Sequence, residues 1–137
     1  MAAKKTWSQK IASAPAPHDD RLVKDFGGAK AGDLMFIASP SLVRDYVAAI
    51  PRGATREVLD MRKDFAAQNG ADVACPIASS LFLRMVAEAA IDEINAGAPP
   101  DEVTPFWRIV APSGPIAAKL SCGQNFIAEM RRKETAA

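Results

Sequence analysis

Ser39-Pro40-Ser41-Leu42-Val43-Arg44-Asp45-Tyr46-Val47-Ala48-Ala49-Ile50-Pro51-Arg52-Gly53-Ala54-Thr55 holds one helix from start to stop and the entry to a second. Ser39 can accept from the unpaired N–H groups of a first helical turn, and Pro40 suits the position after it, where a missing N–H costs nothing. Leu42, Val43, Tyr46, Val47 and Ile50 then recur at helical spacing on one face. Pro51-Arg52-Gly53 ends that helix, and Thr55 stands where it can cap another. The second helix carries Val58, Met61 and Phe65 along a stripe to be buried, with Leu59 and Ala66 beside it. Asn69-Gly70 stops it. A linker from Ala71 to Ile77 contains Cys75-Pro76. Ser79 or Ser80 caps a third helix, which runs through Phe82, Val86, Ala89 and Ala90 to Ile94 and ends at Gly97. Helix, turn, helix, linker, helix is the order of a helix-turn-helix domain.

On the N-terminal side, Lys4 to Ala14 predicts a short helix with Trp7 and Ile11 at i,i+4 spacing, broken by Ala14-Pro15-Ala16-Pro17. His18 to Gly32 is polar with a Gly27-Gly28 turn. Residues 1–38 read as an N-terminal extension, either an arm anchored by Trp7, Leu22 and Phe26 or a flexible leader beside the domain. Leu34 to Ile37 predicts one strand. On the C-terminal side, Ala98-Pro99-Pro100-Asp101-Glu102 must be a loop. Trp107 to Val110 is β-prone, Pro112-Ser113-Gly114-Pro115 reads as a tight turn, and Ile116 to Cys122 is expected to return as an irregular wing. A last helix starts near Gly123-Gln124, includes Phe126, Ile127 and Met130, and ends in Arg131, Arg132 and Lys133, which suit its dipole. The fold expected is α+β and mostly helical: a winged helix-turn-helix-like domain over residues 39–137.

Bulk properties narrow the function classes. The chain has 137 residues, 49% of them apolar and 24% charged, enough for one domain with a real core. No run is long and apolar enough to cross a bilayer, so no membrane partner is expected. The basic start at Met1 to Lys5 has no apolar stretch behind it, which argues against a secretory signal. Cys75 and Cys122, with the single histidine His18, make no metal set and imply no cofactor. A reduced pair in a cytoplasmic protein is the expectation. The formal net charge of +1 argues against a broadly cationic nucleic-acid surface, and between residues 41 and 95 acidic side chains outnumber basic ones. Local placement of arginines then decides the matter.

The densest chemistry lies in Thr104-Pro105-Phe106-Trp107-Arg108-Ile109-Val110, which packs a proline, two aromatics and an arginine together. In sequence this strip is similar to the Val-Pro-Cys-His-Arg-Val active-site strip of the O6-alkylguanine-DNA alkyltransferase family. Ile50 to Thr55 resembles the Ile-Pro-x-Gly-x-Thr/Val turn that opens that family's C-terminal, DNA-binding half. Ser79 to Ala90 falls where the family places its recognition helix, and Arg84 falls on the arginine that enters the base stack. Ser121-Cys122-Gly123 resembles the family's Ser/Ala-Gly-Gly turn, and Glu134 matches its glutamate in the terminal helix. The resemblance spans residues 39 to 134, roughly 70% of the chain, with five short motifs in the family's order.

What the resemblance implies is bounded by three departures. Phe106 stands at the nucleophilic cysteine and has no lone pair to offer. Trp107 stands at the activating histidine and cannot take a proton. Val58 replaces a tyrosine that would touch phosphate or base. The pattern is nearest to the alkyltransferase-like proteins, which bind alkylated DNA without repairing it, although those keep the histidine. The resemblance therefore implies a DNA-binding protein without methyltransferase activity, a sensor of alkylated guanine in DNA repair, with duplex DNA, with or without O6-alkylguanine, as its partner. Arg84, Ser79 and Ser80 would face the groove, and Arg52 and Arg56 would meet phosphates. Phe106, Trp107, Arg108, Val58 and Glu134 would surround the base pocket, Arg108 chiefly as a structural tie. Two other readings stay open: a protein-interaction or regulatory module on the same scaffold, and alkyl transfer by Cys122 as a relocated nucleophile. Arg84 also has a plainer role, pairing with Glu88 at i,i+4.

Overall fold

Ser39 accepts a hydrogen bond from the Leu42 N–H at 3.1 Å, and Pro40 opens the helix that follows. The computed structural model describes residues 5–135. The basic start at Met1 to Lys4, including the first residue of the expected N-terminal helix, lies outside them. The elements in chain order are α1 (Trp7–Ser13), β1 (His18–Arg21), β2 (Leu34–Ile37), α2 (Pro40–Ala48), α3 (Val58–Gln68), β3 (Val73–Ala74), α4 (Pro76–Asn95), α5 (Pro115–Lys119) and α6 (Gln124–Thr135). Single 3-10 turns occupy Pro100–Glu102 and Phe106–Arg108. The fold is α+β and mostly helical.

Helix α4 is the centre of the core. It buries Leu83, Val86, Ala87, Ala90 and Ile91, and α1, α2 and α3 pack against it. From α2 come Val43 and Val47, from α3 Met61 and Phe65, and from α6 Ile127, each almost wholly excluded from water. Burying such a side chain is worth about 1.5–3 kcal/mol relative to leaving it exposed.

Beside this helical core lies a three-stranded sheet in the order β1-β2-β3. β1 runs antiparallel to β2 from His18↔Ile37 to Arg21↔Leu34, and β2 runs parallel to β3 with Met35↔Val73 and Phe36↔Ala74. The central strand supplies Met35 and Phe36 to the interior, while β1 is exposed along its whole length. Residues of the N-terminal stretch therefore contribute a helix against α4 and two of the three strands. Ile11 is buried, Trp7 rests on the core, and Leu22 is half-buried, but Phe26 is largely exposed.

Several local expectations are corrected. The strip at 107–110 is not a strand: the Arg108 N–H donates to the Pro105 carbonyl and the Ile109 N–H to the Phe106 carbonyl, closing a 3-10 turn. Among the described residues no strand pairs with it, so coiling is what satisfies its backbone and buries its apolar side chains. The expected wing is helix α5, which Pro115 opens after Gly114. Glu57, not Thr55, is the N-cap residue of α3, its N–H donating to the Asp60 carboxylate at 2.8 Å. Helix α4 begins three residues before Ser79, with Cys75 at its N-cap. The linker between α3 and α4 contains β3, too short to announce itself by alternation.

Candidate nucleic-acid interface

The strip folds around one carboxylate. Trp107 Nε1 donates to Glu134 Oε1 at 2.8 Å, and Arg108 reaches the same carboxylate through Nη2 at 2.8 Å and Nε at 3.1 Å. Arg108 Nη1 also donates to the Ile50 carbonyl at 2.7 Å, which ties the Pro51-Arg52-Gly53 turn to the strip. The Glu134 side chain is 3% exposed and that of Arg108 14%, so this is a buried, bidentate ion pair. Burial pushes the Glu134 carboxyl up. The hydrogen bonds from Arg108 and Trp107, the Arg108 charge and the Gly53 N–H outweigh that and hold it below the usual glutamate range. The strip's own carbonyls are held too: Arg131 Nε donates to Trp107 at 2.6 Å, and the Arg56 N–H donates to Arg108 at 2.8 Å.

Phe106 and Trp107 both turn inward, being 0% and 1% exposed. Phe106 lies edge-on to Trp107 at 5.3 Å and stacks on Phe126 at 6.2 Å, completing an aromatic cluster with α6. The expectation of Phe106 lining a base pocket is therefore corrected: its ring is sealed in the core. An alternating strand would have sent one of the two side chains outward, but a 3-10 turn does not alternate.

The remaining residues of the expected site separate into two hollows. Trp107, Arg108 and Glu134 wall a groove of about 700 Å³ together with Arg52 and Lys133. On another side, Val58, Arg56 and Ser80 line a cavity of about 510 Å³ with Arg62, Arg131 and the turn at Gly114. Of the five residues expected to enclose one base pocket, Trp107, Arg108 and Glu134 share the groove, Val58 lines the other cavity and Phe106 lines neither.

Helix α4 presents Ile77, Leu81, Arg84 and Glu88 at i, i+4, i+7 and i+11 on one face. Ile77 is 62% exposed and Leu81 50%. Arg84 is half-buried, and its Nε is the one buried side-chain nitrogen or oxygen among the described residues that has no hydrogen-bond partner. Its expected pairing with Glu88 is not made. Glu88 is buried and accepts from the N–H and hydroxyl of Ser121, both at 2.9 Å. Ser79, expected to face the groove, is 1% exposed and belongs to the core side of the helix. Ser80 is half-buried at the cavity mouth.

Neither thiol is paired in a disulfide. Cys75 Sγ accepts weakly from the Ala78 N–H at 3.5 Å. Burial pushes the Cys122 thiol up, and the Glu88 charge adds to that over the opposing backbone contact. This is the reverse of what a nucleophilic cysteine needs. His18, on exposed β1, can donate from Nδ1 to the Ala16 carbonyl at 3.3 Å. Among the described residues no cluster could hold a metal ion, and no helix is long and apolar enough to cross a membrane.

Two features are not legible from the sequence alone: the Arg131 contact with the Trp107 carbonyl and the inward turn of Glu88. A carboxylate in an otherwise apolar run, Val86 to Ile91, was the available clue to the second. Compared with protein-family models, with curated proteins and with solved structures, the chain matches none.

Proposed function

We propose that the protein is a non-catalytic DNA-binding protein that presents α4 to the minor groove, with α3 and β3 leading into it in the manner of a helix-turn-helix. One observation carries this reading. The first turns of α4 expose two aliphatic wedges, Ile77 and Leu81, beside an arginine whose buried Nε has no partner. Minor-groove proteins kink a duplex with such wedges, and an arginine head both stacks and hydrogen-bonds in the space that opens. No carboxylate shares that face until Glu88, which is turned inward. The strip supports the non-catalytic part of the reading: the position that the resemblance gives to the nucleophile is a buried phenyl ring, and the indole beside it already donates to Glu134.

Titration of labelled duplexes, with and without O6-methylguanine, at low and moderate salt tests the reading. Binding at low salt that weakens at least about tenfold in Arg84→Ala is expected. A lesion preference lost in the same variant identifies a sensor of alkylated guanine. Absence of binding at low salt overturns the reading. Exposed Ile77 and Leu81, with Leu59 47% exposed on α3, also favour a second reading, a protein-interaction module. Capture of a defined partner that survives nuclease and is lost in Leu81→Glu, in a protein that ignores DNA, is the outcome it requires.

A further inference from the structure

We propose that the cavity walled by Arg56, Arg62 and Arg131 is a binding site for the phosphate group of an organic phosphate ester. The three arginines come from three places: the segment before α3, α3 itself and α6. Two of them are aimed by the backbone. Arg131 Nε donates to the Trp107 carbonyl at 2.6 Å, and Arg62 Nε donates to the Ala74 carbonyl at 3.3 Å. Their terminal Nη groups make no hydrogen bond among the described residues. Arg56 is held by its own N–H on the Arg108 carbonyl, and its Nη1 donates to the Thr55 carbonyl at 2.9 Å. None of the three has a carboxylate within 4.0 Å, since the ion pairs among the described residues are Arg108–Glu134 and Arg132–Glu129.

The wall has one carboxylate, Glu57, the N-cap residue of α3. The lining is therefore cationic by two charges at neutral pH, in a cavity of about 510 Å³. Desolvation bears on Arg131 in particular, pulling its guanidinium below the ordinary arginine value. A cation that is partly desolvated and unpaired is costly, and a bound anion offsets that cost. Planar forks with free Nη groups match phosphate oxygens in pairs, and the Ser80 hydroxyl at the rim adds a donor. The rest of the wall is apolar, from Val58, Leu59, Ile109 and Ile116, so there is room for the organic group that carries the phosphate.

The proposal deepens the DNA-binding reading when the phosphate is a strand phosphate, but it stands equally for a free nucleotide, and the test separates them. The full chain, labelled with nitrogen-15, is titrated with dGMP, with inorganic phosphate and with an unmodified duplex at low salt, following the arginine Nε–Hε resonances. The expected result is that dGMP or the duplex moves the Arg62 and Arg131 resonances. The moving ligand should bind at least about tenfold more weakly to Arg62→Gln and Arg131→Gln, each charge-assisted hydrogen bond being worth roughly that much. Arg62→Gln guards the test if Arg131→Gln fails to fold, because the Arg62 tie to Ala74 is the longer one. If the duplex binds, dGMP does not, and Arg62→Gln weakens the duplex, the site holds strand phosphate. If dGMP binds and the duplex does not, the site stands while the DNA reading falls. If the duplex needs Arg84 but is indifferent to Arg62→Gln, or if no ligand moves these resonances, the proposal is overturned.

Discussion

Glu134 gathers Trp107, Arg108 and the Pro51–Gly53 turn onto one buried carboxylate, so its removal leaves Arg108 without its charge partner. Glu134→Ala should lower stability by about 2–3 kcal/mol, less than the fullest cost of a broken buried pair, because Arg108 keeps the Ile50 carbonyl. Chemical denaturation followed by far-UV circular dichroism measures this. The same carboxyl sets an acid response. It titrates below its ordinary value in the folded protein, so the folded state binds fewer protons than the unfolded one as pH falls through the glutamate range. Its stabilisation is complete above that range and is lost on acidification below about pH 4.3. The wild type should therefore lose more stability than Glu134→Gln between about pH 5 and pH 3, and equal slopes would deny Glu134 this role. At Phe106 the question is chemistry. Phe106→Cys places a thiol where the resembled alkyltransferase strip carries one, but in a sealed position, with no base beside it. The variant should lose about 2–4 kcal/mol and show an unchanged intact mass after incubation with an O6-methylguanine oligonucleotide. A mass increase of one methyl group would mean that the strip opens.

Among the elements, the hairpin β1–β2 and helix α4 meet at a glycine. Gly27 has φ +58°, and a Cβ there would lie 2.9 Å from Pro76 Cγ at the start of α4. Gly27→Ala combines left-handed backbone strain with that clash, so a destabilisation of roughly 1–2 kcal/mol is expected. Faster hydrogen exchange at the Phe26 and Ala29 amides, which close the turn, would place the damage at the hairpin tip. This junction also shows what the sequence made legible. The Gly-Gly turn, the strand at Leu34 to Ile37, the Ser39-Pro40 start and the stops at Asn69-Gly70 and Gly97 were readable because each depends on local chemistry. What was not readable depended on neighbours. Val73 and Ala74 form a strand only because β2 lies alongside. The 107–110 strip has β-prone residues but no strand to pair with, and Pro115 opens a helix where a turn was expected to close. For the site, the Trp107 and Arg108 contacts with Glu134, the inward Glu88 and the burial of Phe106 are all set by tertiary contacts between segments distant in sequence.

At the scale of the molecule, a formal charge of +1 means that no broad field draws in a polyanion. Any affinity for DNA must come from a few placed arginines, and that fixes how binding should respond to salt. A protein that neutralises Z phosphates loses affinity with a log–log slope near −0.9Z on duplex DNA. With Arg84 on the α4 face and Arg56, Arg62 and Arg131 around one cavity, a slope of about −2 to −4 is expected. Arg62→Gln should make it shallower by about one, since a single phosphate contact is removed. Leu81→Ala should instead weaken binding at every salt concentration and leave the slope unchanged, because an apolar wedge releases no counterions. Fluorescence anisotropy across a salt series distinguishes these behaviours in one set of titrations. A slope near zero with affinity intact would assign the exposed face of α4 to an apolar partner surface, and a slope far steeper than −4 would require cations beyond the four arginines named.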